Sequence, residues 1–341
     1  MRLIEIDVVG TEPPQRRFGM GHDLAAGEAS VVAFLGGDAA DFARATKAAG
    51  TQQAYRSAWR DFQAYCGDRG VTALPAPPAT VIAYISRLAK RGIKPSTIQV
   101  RIAAIALQHK LAHLPDPTHD EDVKAVLAGI RRKVGVAPQR KAPVAYAELT
   151  QLIEALPGDL RGVRDKALIL LGFAGAFRRS ELVGLDVGHV RFGAKAMTLT
   201  VKHSKTDQEG AGIKKTIPYL ADAALDPASA LKAWLRVAGI TRGPIFRKVD
   251  RWGKVGATRL DDRVVALTVK RAAQCAGLPA DQFSGHSLRA GFITSAATAG
   301  VPEWKIQEVS GHKSERVLRG YIRDAGLGGQ DAVRGAFGLS Q

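Results

Sequence analysis

Residues 285–323 read GHSLRAGFITSAATAGVPEWKIQEVSGHKSERVLRGYIR, and this stretch is the most informative part of the sequence for fold and function. Its helical periodicity places His286 and Arg289 three residues apart on one helical face, so both side chains can point at a single anion. Tyr321 follows Arg289 after 32 residues (321 minus 289) and carries a hydroxyl group that could attack that anion. The stretch therefore predicts an anion site with a nucleophile beside it.

The composition of the chain indicates a globular protein with a polyanionic partner. Its 341 residues favour two domains over one, and a hydrophobic content of 46% is enough to build two cores. The formal net charge of +17 is typical of nucleic-acid binding, although charge alone does not separate DNA from an anionic membrane surface. The longest apolar run, residues 167–177, contains glycines and is well below the ~18 residues of a membrane-spanning helix.

Two further features favour a reduced, cytoplasmic setting. Residues 1–10 carry Glu5 and Asp7, so they lack the basic and then apolar form of a signal peptide. Cys66 and Cys275 lie far apart on helix-like segments, which indicates reduced core residues rather than a disulfide or a metal site. We therefore expect a cytoplasmic protein with no metal, no cofactor and no membrane partner.

The hydrophobic pattern divides the N-terminal part of the chain into three segments. Residues 1–46 show no sustained period and are expected to be a variable leader, partly disordered. Apolar residues then recur every three or four positions in four stretches, which predicts a compact helical domain over residues 47–133. Capping-box patterns at Ser96 and Thr118 mark the starts of its third and fourth helices. Residues 134–144, with two prolines and a basic pair, predict a basic linker.

The remaining residues, 145–341, predict a domain of helices with a small sheet. Helical periodicity is interrupted by three short, partly alternating segments at residues 187–192, 196–202 and 213–220, which predict three strands. A long polar loop, residues 203–212, separates the last two strands. The chain is therefore expected to be mainly α with a small three-stranded antiparallel sheet.

Taken singly, the polar residues of this domain have ordinary explanations. Arg178 and Glu181, three residues apart at a helix start, are typical of a surface ion pair. His286 and Arg289 could form an exposed polar face, and a residue such as Tyr321 on an amphipathic helix is usually a core residue with its hydroxyl at the rim. These explanations weaken only if the residues belong to one pattern.

Four short motifs do belong to one pattern. They are RRSEL at residues 178–182, HSLR at 286–289, GH at 311–312 and YI at 321–322. In this order and spacing they resemble the tyrosine recombinases, the phage-integrase family, and most of all its Cre recombinase branch. The likeness extends from residue 51 to the C-terminus. It implies an N-terminal four-helix core-binding (SAM-like) domain and an α+β catalytic domain of the tyrosine recombinase and type IB topoisomerase kind.

The resemblance implies a site that cuts and rejoins DNA through a covalent 3′-phosphotyrosine intermediate. Tyr321 would be the nucleophile, because a phenol can hold the phosphate until the strand is rejoined. Arg178 and Arg289 would bind the non-bridging oxygens, since planar guanidinium groups match their geometry and charge. His286 would carry the proton of the tyrosine, and His312 would donate a hydrogen bond to the phosphate.

The predicted hairpin would supply a general acid. Lys205 in its long polar loop resembles the mobile lysine of the family, which protonates the departing 5′ hydroxyl because an alkoxide is a poor leaving group. Lys202, Lys214 and Lys215 share the hairpin, so the choice among four lysines stays open. Glu181 would orient neighbouring groups.

Three positions depart from the family pattern or allow a second assignment. Ala176 stands where members commonly have glycine, which is tolerable if this turn has an ordinary helical conformation. Arg179 adjoins Arg178, and Arg178 is preferred because its distance to residues 180–182 is that of the family. His312 matches most members, whereas the Cre branch has tryptophan there.

DNA contacts are expected from both domains and from the linker. Outward-facing residues of the first and third helices, the basic pair of the linker and two residues of a later helix are candidates, although each is also typical of a solvated helix face. These candidates are Gln53, Arg60, Ser96, Gln99, Arg101, Arg140, Lys141, Lys270 and Arg271.

The expected function is site-specific recombination of double-stranded DNA. By resemblance, a protein that is a monomer in solution would form a homotetramer on paired inverted-repeat sites and pass through a Holliday junction. A helix at residues 330–337 resembles the tail that members dock into a neighbouring subunit, and folding back on its own domain is the alternative. The rival functions are a type IB topoisomerase-like nicking and sealing enzyme and a non-catalytic DNA-binding accessory protein. Integration, excision, resolution and inversion are equally compatible with the sequence.

Overall fold

The computed structural model describes residues 49–135, 141–202, 212–312, 318, 320 and 321. The chain forms two compact units, Met1–Pro138 and Gln139–Gln341. None of the helices within the described residues is long and apolar enough to cross a membrane. Four predicted features lie outside these residues: the leader over residues 1–46, Arg140, Lys205 and the helix at residues 330–337.

Four α-helices make up the described part of the N-terminal unit. They are α1 (Ala49–Gly67), α2 (Pro78–Lys90), α3 (Pro95–Leu111) and α4 (Glu121–Val134). Apolar residues spaced by three and four turn towards a common core, in which Trp59, Phe62 and Tyr84 are almost completely buried. The ring centroids of Phe62 and Tyr84 are 5.0 Å apart in an edge-to-face contact, so aromatic packing joins α1 to α2.

The starts of α3 and α4 differ from the predicted capping boxes. Helix α3 begins with Pro95, so Ser96 is its second residue and not its cap. Thr118 lies in a short 3₁₀ turn, Pro117–His119, before α4. The cap of α4 is Asp120, whose carboxylate accepts hydrogen bonds from two first-turn N–H groups at 2.9 and 3.4 Å. Proline at the first helical position and aspartate at the cap are both favoured helix starts.

The C-terminal unit is mainly helical, with two small antiparallel sheets among its described residues. Its helices are α5 (Tyr146–Glu154), α6 (Leu160–Ala174), α7 (Arg179–Val183), α8 (Pro227–Val237), α9 (Asp262–Cys275), α10 (Ser287–Thr298) and α11 (Glu303–Ser310). Its strands are β1 (Val190–Phe192), β2 (Ala196–Val201), β3 (Ile213–Pro218), β4 (Arg247–Val249) and β5 (Val255–Arg259). Helix α6 runs through the core, where Leu168, Ile169 and Leu171 are fully buried and α8 packs against it.

The three-stranded sheet has the order β1-β2-β3, and both strand pairs are antiparallel, as predicted. Side chains alternate between its faces. Met197 and Val201 of β2 are buried, and so are Lys215 and Ile217 of β3. Strand β1 is shorter than predicted because residues 187–189 form a 3₁₀ turn.

The second sheet, formed by β4 and β5, is not predicted by the sequence. The two strands have only 3 and 5 residues, and neither shows an alternating apolar pattern. Their pairing depends on the turn between them, where the carboxylate of Asp250 accepts hydrogen bonds from the N–H groups of Trp252 and Lys254, both at 2.9 Å. Turn chemistry, rather than strand propensity, produces this hairpin.

The two cysteines have different surroundings. Cys66 is buried, as predicted, and burial raises the pKa of its thiol to about 11, so the thiol stays protonated at neutral pH. Cys275, at the end of α9, is exposed. The prediction that both are core residues is therefore wrong for Cys275.

Helix α10 lies very close to the segment that leads into α5. The backbone N–H of Val144 donates a hydrogen bond to the carbonyl oxygen of Ser287 at 2.9 Å. Gly291 permits this approach, because a Cβ atom at that position would lie 1.8 Å from the carbonyl oxygen of Val144. The contact fixes α10, and with it Arg289, against the preceding chain.

Replacing Gly291 with alanine should destabilise the C-terminal unit. The added methyl group overlaps backbone atoms that cannot move without disturbing the hydrogen bond between Val144 and Ser287, so we expect a loss of about 1–3 kcal/mol. Gly188→Ala is the matched control, since a Cβ atom there has nothing within 4 Å. Denaturant unfolding should separate the two variants, and equal stability would contradict the close approach at Gly291.

Candidate active site

Arg178 precedes helix α7 and is held by a buried carboxylate. Its Nη1 atom donates to Oε1 of Glu181 at 2.6 Å, and its backbone N–H donates to Oε2 at 3.0 Å. Glu181 is only 3% exposed, so this pair differs from the solvated ion pair that the spacing alone would suggest. Arg179 lies 3.7 Å from Asp262 instead. The carboxylate of Glu181 therefore fixes the guanidinium of Arg178 and not that of its neighbour.

Arg289, in α10, is almost completely buried. Its Nη1 atom donates to the carbonyl oxygen of Ala176 at 2.7 Å, and its Nη2 atom lies 3.1 Å from Nε2 of His312. Burial, and next the positive charge of Arg178, lower the pKa of this guanidinium to about 10. Arg289 therefore stays charged at neutral pH while these hydrogen bonds go to neutral groups.

The turn between α6 and α7 does not have the helical conformation expected at Ala176. Ala176 has a φ of 46°, in the left-handed region, and not the ordinary helical conformation expected there. Glycine adopts this conformation without strain, which explains physically why glycine suits the position. Here the alanine is fully buried and its carbonyl is fixed by Arg289, so the surroundings compensate for the strain.

His286 and Tyr321 are in direct contact. His286 is the residue just before α10, and its Nε2 atom lies 2.5 Å from the hydroxyl oxygen of Tyr321. The tyrosine ring packs against a small cluster formed by Ile293, Ile306 and Leu318. A histidine nitrogen at this distance is within reach to accept the proton of the phenol.

His286 and Arg289 reach this centre from different environments, and not from one exposed helical face. His286 is exposed, whereas Arg289 is buried. The ring centroid of His312, which contacts Arg289, is 5.9 Å from that of Tyr321. The structure thus brings these four predicted residues together. In the described part of the chain, no group of three or more His, Cys, Asp or Glu side chains could hold a metal ion.

His312 is neutral at physiological pH. It follows Gly311, whose φ of 64° ends α11 in the left-handed conformation. Burial lowers the pKa of its imidazole to about 4, and the charges of Arg289 and Arg178 act in the same direction. Its Nδ1 atom lies 2.8 Å from Oγ of Ser310, a hydroxyl group that can donate or accept. Either tautomer is therefore satisfied, so Nε2 can accept from Arg289 or donate to a phosphate oxygen.

The hairpin lysines differ in exposure. Lys202 and Lys214 are exposed, and Lys205 lies outside the described residues. Of the three described lysines, only Lys215 is buried. The side chain of Lys215 therefore differs in orientation from those of Lys202 and Lys214.

Lys215 points into the unit. Its Nζ atom donates to the carbonyl oxygen of Gly175 at 2.7 Å and to that of Val309. Burial is the main cause that lowers its pKa to about 8, and the carboxylate of Glu181 acts in the opposite direction. The alternation of β3 is the sequence signal that could have found it, since Lys215 lies two positions before the buried Ile217.

The predicted DNA contacts of α1 and α3 do not all face outward. The exposed ones are Gln53, Arg60, Ser96 and Gln99. Arg101, by contrast, is half-buried, forms an ion pair with Asp61 and donates to the hydroxyl of Tyr84 at 2.9 Å. The prediction that it faces outward is wrong, because its guanidinium joins α1, α2 and α3.

Three of the predicted DNA contacts lie in the described part of the C-terminal unit, and they differ in exposure and in their hydrogen-bond or ion-pair partners. Lys141 is exposed, and its Nζ atom donates to the carbonyl oxygen of Asp281 at 2.7 Å. Lys270 is partly buried. Arg271 forms an ion pair with the buried carboxylate of Asp165. Arg271 therefore has a structural partner within its own unit.

Comparison with known proteins identifies one family. The model of the phage integrase family matches residues 144–326. An integrase/recombinase xerD homolog from Selenomonas ruminantium is 41% identical over 286 residues, which cover 83% of this chain and 84% of that protein. The recombinase cre of Escherichia phage P1 is 24% identical over 287 residues, which cover 79% and 82% of the two chains.

Solved structures share the fold. The Tn1549 transposon integrase, described in complex with transposon right end DNA, superposes with a TM-score of 0.57 at 16% identity and covers 88% of this chain and 94% of its own. A lambda integrase dimer, described as bound to a COC' core site, has a TM-score of 0.55 at 17% identity, with coverages of 87% and 76%. At these identities the likeness concerns the fold alone.

Replacing His312 with glutamine should weaken the pH dependence of stability in mild acid. The pKa of about 4 lies below the ordinary value of 6.5, so the unfolded chain binds more protons between these values. Stability from the neutral imidazole is complete above pH 6.5 and is lost as the pH falls towards 4. The melting temperature of the wild type should therefore fall more steeply than that of the variant across this window.

The matched control is His119→Gln, at a histidine whose side chain is 81% exposed. This control should keep the slope of the wild type. If His312→Gln also keeps that slope, the imidazole is not held neutral by its surroundings.

Proposed function

Because this chain belongs to the phage integrase family, we propose that it is a site-specific DNA recombinase that acts through a 3′-phosphotyrosine intermediate. The relatives described above carry the names integrase and recombinase, and the solved neighbours are described with bound DNA. The xerD homolog shares more identity with this chain than Cre does, so the likeness is to the family rather than to the Cre branch in particular.

The proposal is carried by the 2.5 Å contact between Nε2 of His286 and the hydroxyl oxygen of Tyr321. A phenol is a weak nucleophile until a base takes its proton, and this contact supplies the base. Arg289 and His312 lie beside the tyrosine and supply donors for an anion. A nucleophile, a base and an anion site in one cluster are what phosphoryl transfer to a side chain requires.

In the proposed reaction, the oxygen of Tyr321 attacks the scissile phosphorus while its proton passes to His286. A bond forms between phosphorus and the tyrosine oxygen, and the bond between phosphorus and the 5′ oxygen breaks. Arg178 and Arg289 stabilise the charge that develops on the non-bridging oxygens. The neutral His312 donates a hydrogen bond from Nε2 to one of them without adding a further charge.

Two other residues support this chemistry in the proposal. Lys205 gives a proton to the departing 5′ oxygen, and it takes a proton back when a 5′ hydroxyl attacks the phosphotyrosine during rejoining. Glu181 orients the guanidinium of Arg178 through the 2.6 Å hydrogen bond between them. The reaction needs no hydrolysis, so the energy of the phosphodiester bond is kept for strand exchange.

The N-terminal helical domain is proposed to hold the DNA together with the catalytic domain. Residues 47–133 would form the core-binding domain, residues 134–144 the linker and residues 145–341 the catalytic domain. Phosphate contacts would give most of the affinity and make it strongly salt-dependent. Exposed side chains of α1 and α3, such as Gln53 and Arg60 of α1 and Ser96 of α3, are the candidates for reading bases.

The assembly follows from the need to exchange two pairs of strands. Four subunits, each a monomer before binding, would assemble on paired inverted-repeat sites. They would exchange one pair of strands, form a Holliday junction and then exchange the second pair. We propose that this activity takes place in the cytoplasm.

Tyr321→Phe should abolish covalent attachment to DNA. A duplex that the protein binds is first selected from a random pool and is then nicked near the cleavage point, so that the released 5′ end diffuses away. The wild type should accumulate an adduct that survives denaturing electrophoresis, whereas the variant lacks the attacking oxygen and should form none. Tyr146→Phe, at an exposed tyrosine, is the matched control and should form the adduct at the wild-type rate.

The same assay separates the proposal from its rivals. An adduct in Tyr321→Phe would mean that another residue is the nucleophile. No adduct with the wild type would favour a DNA-binding accessory protein. Relaxation of supercoiled DNA by a monomer, without strand exchange between two sites, would favour a type IB topoisomerase-like enzyme.

A further inference from the structure

One buried lysine connects two segments of the candidate active site. The Nζ atom of Lys215 donates to the carbonyl oxygens of Gly175 and Val309. Gly175 caps the C-terminus of α6, and Val309 lies in the last turn of α11. The ammonium group thus lies between the C-terminal ends of two helices, where unpaired carbonyl groups and the helix dipoles favour a cation.

Each of the two carbonyl groups belongs to a residue that precedes a catalytic candidate by the same number of positions. Gly175 precedes Arg178 by three residues (178 minus 175), and Val309 precedes His312 by three residues (312 minus 309). Lys215 itself belongs to the strand that follows the loop of the proposed general acid. A single side chain therefore joins the arginine segment, the histidine segment and the hairpin.

The surroundings of Lys215 hold its ammonium group in place. The residue is 7% exposed, and the ring centroid of Phe177 lies 5.2 Å from Nζ. Burial lowers its pKa to about 8, and the nearby charges of Arg289 and Arg178 contribute in the same direction, against that of Glu181. A proton donor for a leaving oxygen must reach that oxygen, whereas this group is already bound to two carbonyl oxygens.

We propose that Lys215 is a positioning residue, which fixes Arg178 and His312 relative to each other, and that it is not the general acid. It acts through the backbone, because both carbonyl groups lie three positions before the residues that bind the phosphate. Its catalytic consequence rests on the recombinase function proposed above. Its structural consequence does not, and the two are tested separately.

Hydrogen exchange tests the structural consequence without DNA. Lys215→Met keeps the length of the side chain and removes its charge and donors, and Lys214→Met removes the adjacent exposed charge as the matched control. Peptides covering residues 172–178 and 306–312 should exchange about 10-fold faster in Lys215→Met and at the wild-type rate in Lys214→Met. Wild-type exchange of both peptides in Lys215→Met would overturn the proposal.

Cleavage of two nicked duplexes tests the catalytic consequence. One carries the normal 5′ oxygen at the scissile phosphate and the other carries a bridging 5′ sulfur, in the sequence selected as described above. A thiolate leaves without a proton, so sulfur restores cleavage after loss of a general acid but not after loss of alignment. Lys215→Met should cleave both duplexes about 100-fold more slowly than the wild type. Lys205→Met should be slow only on the oxygen duplex.

Lys215→Arg decides the question if Lys215→Met does not fold. Arginine keeps a buried cation with several donors but is a poor acid, so it should cleave the oxygen duplex within about 10-fold of the wild type. If Lys215→Arg cleaves the oxygen duplex slowly and the sulfur duplex at the wild-type rate, Lys215 is the general acid. The same pattern in Lys215→Met would lead to the same conclusion. Wild-type cleavage by Lys215→Met would also refute the proposal. If the recombinase function itself is wrong, the wild type forms no adduct, and the hydrogen-exchange result still stands.

Discussion

The candidate active site depends on buried cations that are held by backbone carbonyl oxygens. Arg289 donates to the carbonyl group of Ala176, and Lys215 donates to that of Gly175. A carbonyl oxygen accepts a hydrogen bond from a cationic side chain without cancelling the positive charge. A carboxylate accepts the hydrogen bond and also cancels the charge. Glu181 supplies negative charge at one point, beside Arg178. The site therefore keeps an excess of positive charge, which the phosphate group of the proposed reaction would neutralise.

Three of the catalytic candidates are placed by the end of a rigid element. Arg178 lies at the start of α7, His286 at the start of α10, and His312 just after α11. Caps and left-handed residues fix the backbone at such ends more closely than a long loop does. The neutral state of His312 also fits this arrangement, because a donor without charge adds no repulsion to the neighbouring guanidinium groups.

The sequence predicts the members of the site better than their surroundings. The order of the motifs identifies the residues that the structure groups around Tyr321, and the hydrophobic periodicity identifies the helices that carry them. Tertiary contacts decide the remaining features, such as the left-handed turn at Ala176 and the inward ion pair of Arg101. The hairpin of β4 and β5 depends on a single turn, which has no periodic signal. Lys215 follows the alternation of its strand, but a lysine is expected on the exposed face unless its partners are known.

Tyr321, the proposed nucleophile, packs into a small core of its own. Tyr321 packs against Ile293, Ile306 and Leu318, a cluster separate from the larger core of the unit. The free energy that keeps the tyrosine beside His286 is therefore local, and it can change while the rest of the unit stays folded. A neighbouring molecule that displaces these few apolar side chains would move the proposed nucleophile, and it would also reach the helix of Arg289, because Ile293 and Arg289 both lie in α10. In the proposed reaction, the position of the attacking oxygen and the binding of the phosphate would then change together.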